Sequence, residues 1–254
     1  MSMLGLDGVA PATLLTLVLA ALIAGTSRGF SGFGAALIFI PLASAAVGPR
    51  VAAPLLLVVD SLLSLGMVPG AWPKAAKREV LVMTIGTLVG VPTGAWILSQ
   101  SDPVLVRWVI TAMIFALLAL LISGWRYRAK PKAPLTVGVG AVAGLFSGLA
   151  QVGGPPVVAY WLGGANDAAR VRANIVLYFA ISSLFVFVSY IANGLLTTSI
   201  VGLALVTGPA YGLGIWFGSR LFGKASELLF RRTAYALIAL AGLIGLPALD
   251  NVLR

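Results

Sequence analysis

Few side chains in this chain can do chemistry. Its 254 residues hold no Cys and no His, and 17 Lys+Arg stand against 7 Asp+Glu. Without thiol or imidazole there is no disulfide, no thiolate nucleophile, no zinc–thiolate site and no neutral-pH proton switch. What remains is recognition of charge. Arg28 stands at the edge of a glycine-rich stretch, Arg28-Gly29-Phe30-Ser31-Gly32-Phe33-Gly34. A guanidinium there can grip an oxyanion through two parallel hydrogen bonds, and backbone N–H groups freed by glycine can approach the same anion closely. A second stretch, Ser147-Gly148-Leu149-Ala150-Gln151-Val152-Gly153-Gly154-Pro155-Pro156, offers the amide of Gln151 and the backbone around Val152, Gly153 and Gly154. Ser31, Asn174 and Tyr178 are neutral polar groups close to the two stretches, able to hydrogen-bond an oxyanion or to join helices to one another. Asp60, inside an apolar run, is a partner for Arg28, a carrier of a coupling proton or a buried neutral acid.

The elements that hold these residues are set by composition. Apolar residues make up 60% of the chain and charged residues 9%, with a mean hydropathy of +1.05. Soluble domains carry about 25% charged residues, so an ordinary soluble enzyme is excluded, as is a disordered chain. Apolar runs fall at about 11–27, 33–47, 51–71, 79–98, 104–124, 135–150, 155–164, 171–191, 198–218 and 233–248. They are continuous rather than alternating, which predicts helices and not a β-barrel. The runs 11–27, 33–47, 135–150 and 155–164 are short, and form two adjacent pairs, each joined by one of the glycine stretches.

A shift of 119 residues superposes those pairs: Ala24 meets Ala143, Gly25 meets Gly144, Gly29 meets Gly148, Gly34 meets Gly153, Ser64 meets Ser183 and Leu65 meets Leu184. The expected fold is thus an all-α polytopic membrane protein, a single transmembrane domain of two repeats, about 8–126 and 133–250, with a linker at about 126–132. The formal charge of +10 lies in short clusters between apolar runs, not on a basic face for nucleic acid. One threading places Lys74, Lys77 and Arg78, then Arg126, Arg128, Lys130 and Lys132, then Arg170 and Arg172, then Arg220, Lys224, Arg231 and Arg232 in the cytoplasm, provided each short pair enters and leaves on one side. Both termini then face the periplasm, and the repeats run in opposite directions. Residues 1–10 lack the basic start of a secretory signal peptide.

Inverted repeats with interrupted segments belong to secondary transporters, whose sites use the positive ends of short helices. Such helices begin here at about Ala35 and Pro155. Pro155 and Pro156 supply no N–H, so the first repeat should give more donors. The competing reading is that the glycines only let helices pack tightly. Other motifs dissolve: Gly218-Ser219-Arg220-Leu221-Phe222-Gly223-Lys224-Ala225 resembles a phosphate-binding loop but ends in Ala and follows an apolar helix. Gly86-x₃-Gly90-x₃-Gly94 and Gly140-x₃-Gly144-x₃-Gly148 read as small-residue helix contacts. Trp72, Trp96, Trp108 and Trp125 fall near segment ends, as interfacial aromatics do.

With these residues in view, the chain resembles the sulfite exporter TauE/SafE family of bacterial membrane proteins. The resemblance rests on Gly29-Phe30-Ser31-Gly32-Phe33-Gly34-Ala35-Ala36-Leu37-Ile38-Phe39-Ile40-Pro41-Leu42 and on Gly144 through Pro156. It departs where the family often runs three glycines, here Gly34-Ala35-Ala36 and Gly153-Gly154-Pro155. It implies inner-membrane export of sulfite, of a sulfonate such as sulfoacetate, or of a related small anion, without cofactor or metal. An anion channel, proton-coupled uptake and an intramembrane enzyme are the other readings, the last with no paired base to support it. Expected partners are the small anion and the bilayer, with no nucleic acid; the oligomeric state stays open, a homodimer included.

Overall fold

The computed structural model describes residues 9–31, 34–127, 132–162, 168–221 and 227–250, and among them there is no strand. The helices are α1 (Pro11–Ser31), α2 (Ala35–Val47), α3 (Pro49–Ser64), a short α4 (Val68–Ala71), α5 (Lys77–Gln100), α6 (Pro103–Ser123), α7 (Ala133–Ala150), α8 (Gly154–Trp161), α9 (Ala168–Ala192), α10 (Thr198–Leu221) and α11 (Glu227–Ile244). Pro11, Pro49 and Pro103 open three of them, where the missing N–H costs nothing and the fixed φ suits the first turn.

Among the described residues, seven helices are long and apolar enough to cross a membrane, α3 and α4 counting as one continuous span. This is a multi-pass membrane protein. Two segments read as short from the sequence are of full length: α1 has 21 residues and α7 has 18. The helix runs on through Gly29 and through Gly148 because each glycine lies against a neighbouring helix and needs no turn. The breaks are therefore narrower than the two glycine stretches. Beside α11, whose apolar part is Arg232–Ile244, α2, with 13 residues, and α8, with 8, fall short of the ~20 residues a crossing needs. Both are apolar and largely buried, as irregular or short pieces at membrane depth must be.

The chain divides into two compact units. Unit 1 comprises Met1–Val59, Ser101–Ile122 and Leu195–Arg254; unit 2 comprises Asp60–Gln100 and Ser123–Gly194. In unit 1, α1 packs along α10, and α2 packs against α1 and α11. In unit 2, α5 packs along α7, α9 lies on α5, α4 and α7, and α8 lies against α7 and α9.

The long helix pairs are small-residue seams. In unit 1 a Cβ on Gly25 would lie 2.3 Å from the Tyr211 carbonyl oxygen, one on Gly29 2.1 Å from that of Ile215, one on Gly214 2.4 Å from that of Leu22 and one on Gly218 2.1 Å from that of Thr26. In unit 2 the same distances are 2.1 Å from Gly90 to the Ala141 oxygen, 2.2 Å from Gly94 to that of Leu145 and 2.2 Å from Gly148 to that of Val91, while Gly144 abuts Thr87. Residue numbers rise together along both helices of each pair, so each pair is parallel. The two seams share one register: adding 119 carries α1 positions onto α7, and subtracting 124 carries α10 positions onto α5. Close backbone approach is how helices associate in lipid, where no hydrophobic drive separates protein from solvent.

Candidate functional site

The first turn belongs to unit 1. Arg28 and Gly29 lie in the last turn of α1, with Arg28 half-buried and Gly29 pressed on Ile215. The backbone of Ser31 ends α1; Gly32 and Phe33 lie outside the described residues. Gly34 has φ 91, the left-handed region, and is the residue from which α2 starts. This sharp reversal lets α2 fold back beside α1. The first residues of α2, Ala35 and Ala36, carry backbone N–H groups, whereas the first turn of α8 holds Pro155 and Pro156.

The second turn belongs to unit 2 and is built differently. Gln151 ends α7 at φ 59, the one non-glycine positive φ among the described residues. Its N–H donates to the Ser147 carbonyl at 2.9 Å, and that of Val152 donates to Phe146 at 3.3 Å. Two backbone donors of this turn are thus committed to capping α7, and Pro155 and Pro156 have none to give. The Gln151 side-chain amide is 3.4 Å from the Tyr190 hydroxyl, which donates to the Gly148 carbonyl at 2.9 Å. Val152 is buried. Gly153 has ordinary φ −69, but a Cβ on it would lie 2.2 Å from Ser147 Oγ and 2.3 Å from the Ala143 oxygen. Gly154 has room, with only the Phe179 ring 3.8 Å away.

Asn174 and Tyr178 lie one turn apart on α9, both fully buried. The Tyr178 hydroxyl pairs with Thr87 Oγ1 at 3.0 Å, and Thr87 also donates towards the Gly140 carbonyl at 3.3 Å. Tyr178 therefore ties α9 to the α5–α7 seam. Asn174 accepts the Ala76 N–H on Oδ1 at 2.7 Å, while its Nδ2 has no hydrogen-bond partner. Asp60, half-buried, opens unit 2, whereas Arg28 belongs to unit 1.

Two residues of consequence escaped the reading of the sequence. Trp161 ends α8, is 1% exposed, and its Nε1 lacks a partner. Its signal was an indole in a segment too short to reach an interface. Arg107 on α6 is 7% exposed and forks onto Asp250, with Nη1 to Oδ2 at 2.6 Å and Nη2 to Oδ1 at 2.9 Å; Nη2 also reaches the Gly245 carbonyl at 3.1 Å. Its signal was an arginine inside the 104–124 run. By contrast the segment-end tryptophans are exposed as expected. Lys77 sits over the Trp72 ring at 4.7 Å, and Arg220 sits over Trp216 at 4.0 Å, a pairing suited to a membrane interface.

Seven apolar spans, two short buried helices opening from glycine turns and no cluster of metal-binding side chains among the described residues define a multi-pass membrane protein built around interrupted segments. The chain belongs to a transporter family: residues 17–244 match the family described as Sulfite exporter TauE/SafE. Comparison with curated proteins and with solved structures gave no match.

Proposed function

We propose that this protein exports a small sulfur oxyanion or organosulfonate, with sulfite or sulfoacetate as the first candidates, by alternating access across the bacterial inner membrane. Membership of the exporter family carries the reading. The twin parallel seams support two repeats, 8–126 and 133–250, whose helices are exchanged so that α1 pairs with α10 and α7 with α5. The distribution of Lys and Arg supports opposite orientation of the repeats and periplasmic termini. Within unit 1, Arg28 and the start of α2 after Gly34 are the anion-binding elements: a guanidinium, and a helix end carrying about half a positive charge. Ser31, Gly32 and Phe33 complete that side; Gln151 to Gly154, Asn174 and Tyr178 are the substrate-facing residues proposed for unit 2. Asp60, in unit 2, is the proposed carrier of a coupled proton.

The energetics favour export without ATP. With the interior negative, each expelled negative charge gains ~2.3 kcal/mol per 100 mV. Proteoliposomes loaded with sulfite and clamped to an interior-negative potential should release it faster than at zero potential, and Arg28→Gln should abolish release while the protein stays folded. Unaltered release by Arg28→Gln removes Arg28 from the site, and unitary currents in place of carrier-type turnover replace alternating access with a channel.

A further inference from the structure

We propose that Trp161 Nε1 and Asn174 Nδ2 form a donor-only subsite within unit 2 that takes the oxygens of the transported oxyanion; it rests on the transport reading above. Both N–H groups are buried without a partner; of the four such side-chain atoms among the described residues, the other two, Ser44 Oγ and Arg107 Nε, lie in unit 1. Tyr178 links the two residues. Trp161 meets Tyr178 edge-on with ring centroids 5.9 Å apart, and Asn174 lies one turn before Tyr178 on the same face of α9. The Tyr178 hydroxyl is already held by Thr87, and Tyr160, the neighbour of Trp161, is held by Thr136, so neither phenol answers the two donors.

The orientation of Asn174 is fixed by its other atom. Oδ1 accepts the Ala76 N–H at 2.7 Å, and a flipped amide would set two donors against each other. Nδ2 is therefore the atom of Asn174 left without a partner. Both of these unsatisfied side-chain groups donate, so the matching ligand presents lone pairs. Arg172, two positions before Asn174 on the same helix, adds positive charge on this side of α9. The donors are neutral, which suits a stop on a transport route: the anion is held by hydrogen bonds without a fixed cation that would retain it. The turn of unit 2 also explains the need for side chains, since Gln151 and Val152 have committed their N–H groups to α7 and two prolines follow. Trp161 is seven residues along α8 from Gly154, ~10 Å at helical rise, so the subsite is distinct from the turn.

The test uses the purified full chain in detergent, titrated with sodium sulfite and with sulfoacetate by calorimetry, beside thermal unfolding. Trp161→Phe removes the N–H together with three ring atoms, and leaves a small cavity. Asn174→Asp keeps an oxygen for the Ala76 N–H and replaces the donor with an acceptor. Each should weaken binding of the anion about tenfold to a hundredfold, the weight of one hydrogen bond to a charged group. The cavity left by Trp161→Phe lowers the unliganded melting temperature whatever the indole does, so the readout is the rise in melting temperature on adding anion: Trp161→Phe should lose most of that rise, whereas a merely structural indole would leave it as in the wild type. Wild-type binding retained in full by both variants overturns the subsite and leaves the transport reading intact. A wild-type protein that binds neither anion overturns both.

Discussion

Gly34 and Gly153 occupy matching places in the two turns, yet each is glycine for a different physical reason. Gly34 has a left-handed backbone with φ 91, and a Cβ there would meet only Ser27 Oγ at an ordinary 3.6 Å. Gly153 has an ordinary backbone but no space, with Ser147 and Ala143 of α7 within 2.3 Å of any Cβ. In unit 2 the left-handed position is taken by Gln151 instead. The seams behave in the opposite way: Gly25, Gly29, Gly214 and Gly218 repeat the contacts of Gly144, Gly148, Gly90 and Gly94 partner for partner. The two seams thus share one packing scheme, whereas the turns beside them are built differently. Equal letters in an aligned pair are evidence of equal packing only where the neighbours are equal too.

A charged bond of unit 1 set beside a neutral bond of unit 2 predicts the largest effect. Unit 1 holds a buried arginine fork, Arg107 on Asp250, and among the bonds of unit 2 are neutral ones, Ser99 to Asn193 at 3.1 Å and Asn174 to Ala76. Asp250→Ala strands a guanidinium that is 7% exposed and should cost ~3–5 kcal/mol. Arg107→Met should cost less, because the Asp250 side chain is 34% exposed and regains water. Ser99→Ala in unit 2 should cost only ~0.5–1.5 kcal/mol. Denaturant unfolding of the three variants in detergent checks the order; equal losses from Asp250→Ala and Ser99→Ala would erase the contrast between charged and neutral bonds.

Much of this was legible before any coordinates. The apolar runs located every helix, because in lipid the chain must satisfy its own backbone and only helices do so locally. The glycine spacing at 86, 90 and 94 and at 140, 144 and 148 announced a tight seam, and α5 and α7 do pack through those residues. What failed was the extent of the breaks. Glycine reads alike whether it turns a chain or lets a neighbour approach, so the pattern places Gly29 and Gly148 in turns although they lie inside α1 and α7. Trp161 and Arg107 stayed hidden because their importance depends on burial and on partners distant in sequence: Arg107 and Asp250 are separated by 143 positions. Within the candidate site, the sequence marked Asn174 but not which of its atoms was already taken.

The turns offer a smaller and sharper test. Gly34→Ala should cost ~1–2 kcal/mol through backbone hand alone, and Gly34→Asn less, since asparagine enters the left-handed region more readily. Gly153→Ala should cost ~1–3 kcal/mol through overpacking, and Gly153→Asn more, because size and not hand is refused there. Thermal shifts of the four variants read out the two orders. If asparagine is the milder replacement at both positions, the turns share one constraint after all and the comparison above is mistaken.

Gln151→Gly carries the smallest stability effect and the most information about the site. A left-handed glutamine is strained by ~1 kcal/mol or slightly more, and glycine removes that strain while adding ~0.5–1 kcal/mol of unfolded-chain entropy. The only side-chain bond lost is the 3.4 Å contact to Tyr190, too long to weigh much. Stability should therefore stay within ~0.5 kcal/mol of the parent. A strained non-glycine residue kept where glycine would serve equally well points to a task for its side chain. Sulfite release from proteoliposomes by Gln151→Gly should fall about tenfold, and Gln151→Asn, which keeps an amide and tolerates the same φ, should recover part of it. Full activity in the glycine variant would make the glutamine incidental, and unit 2 would then face its substrate through α8 and α9 rather than through its turn.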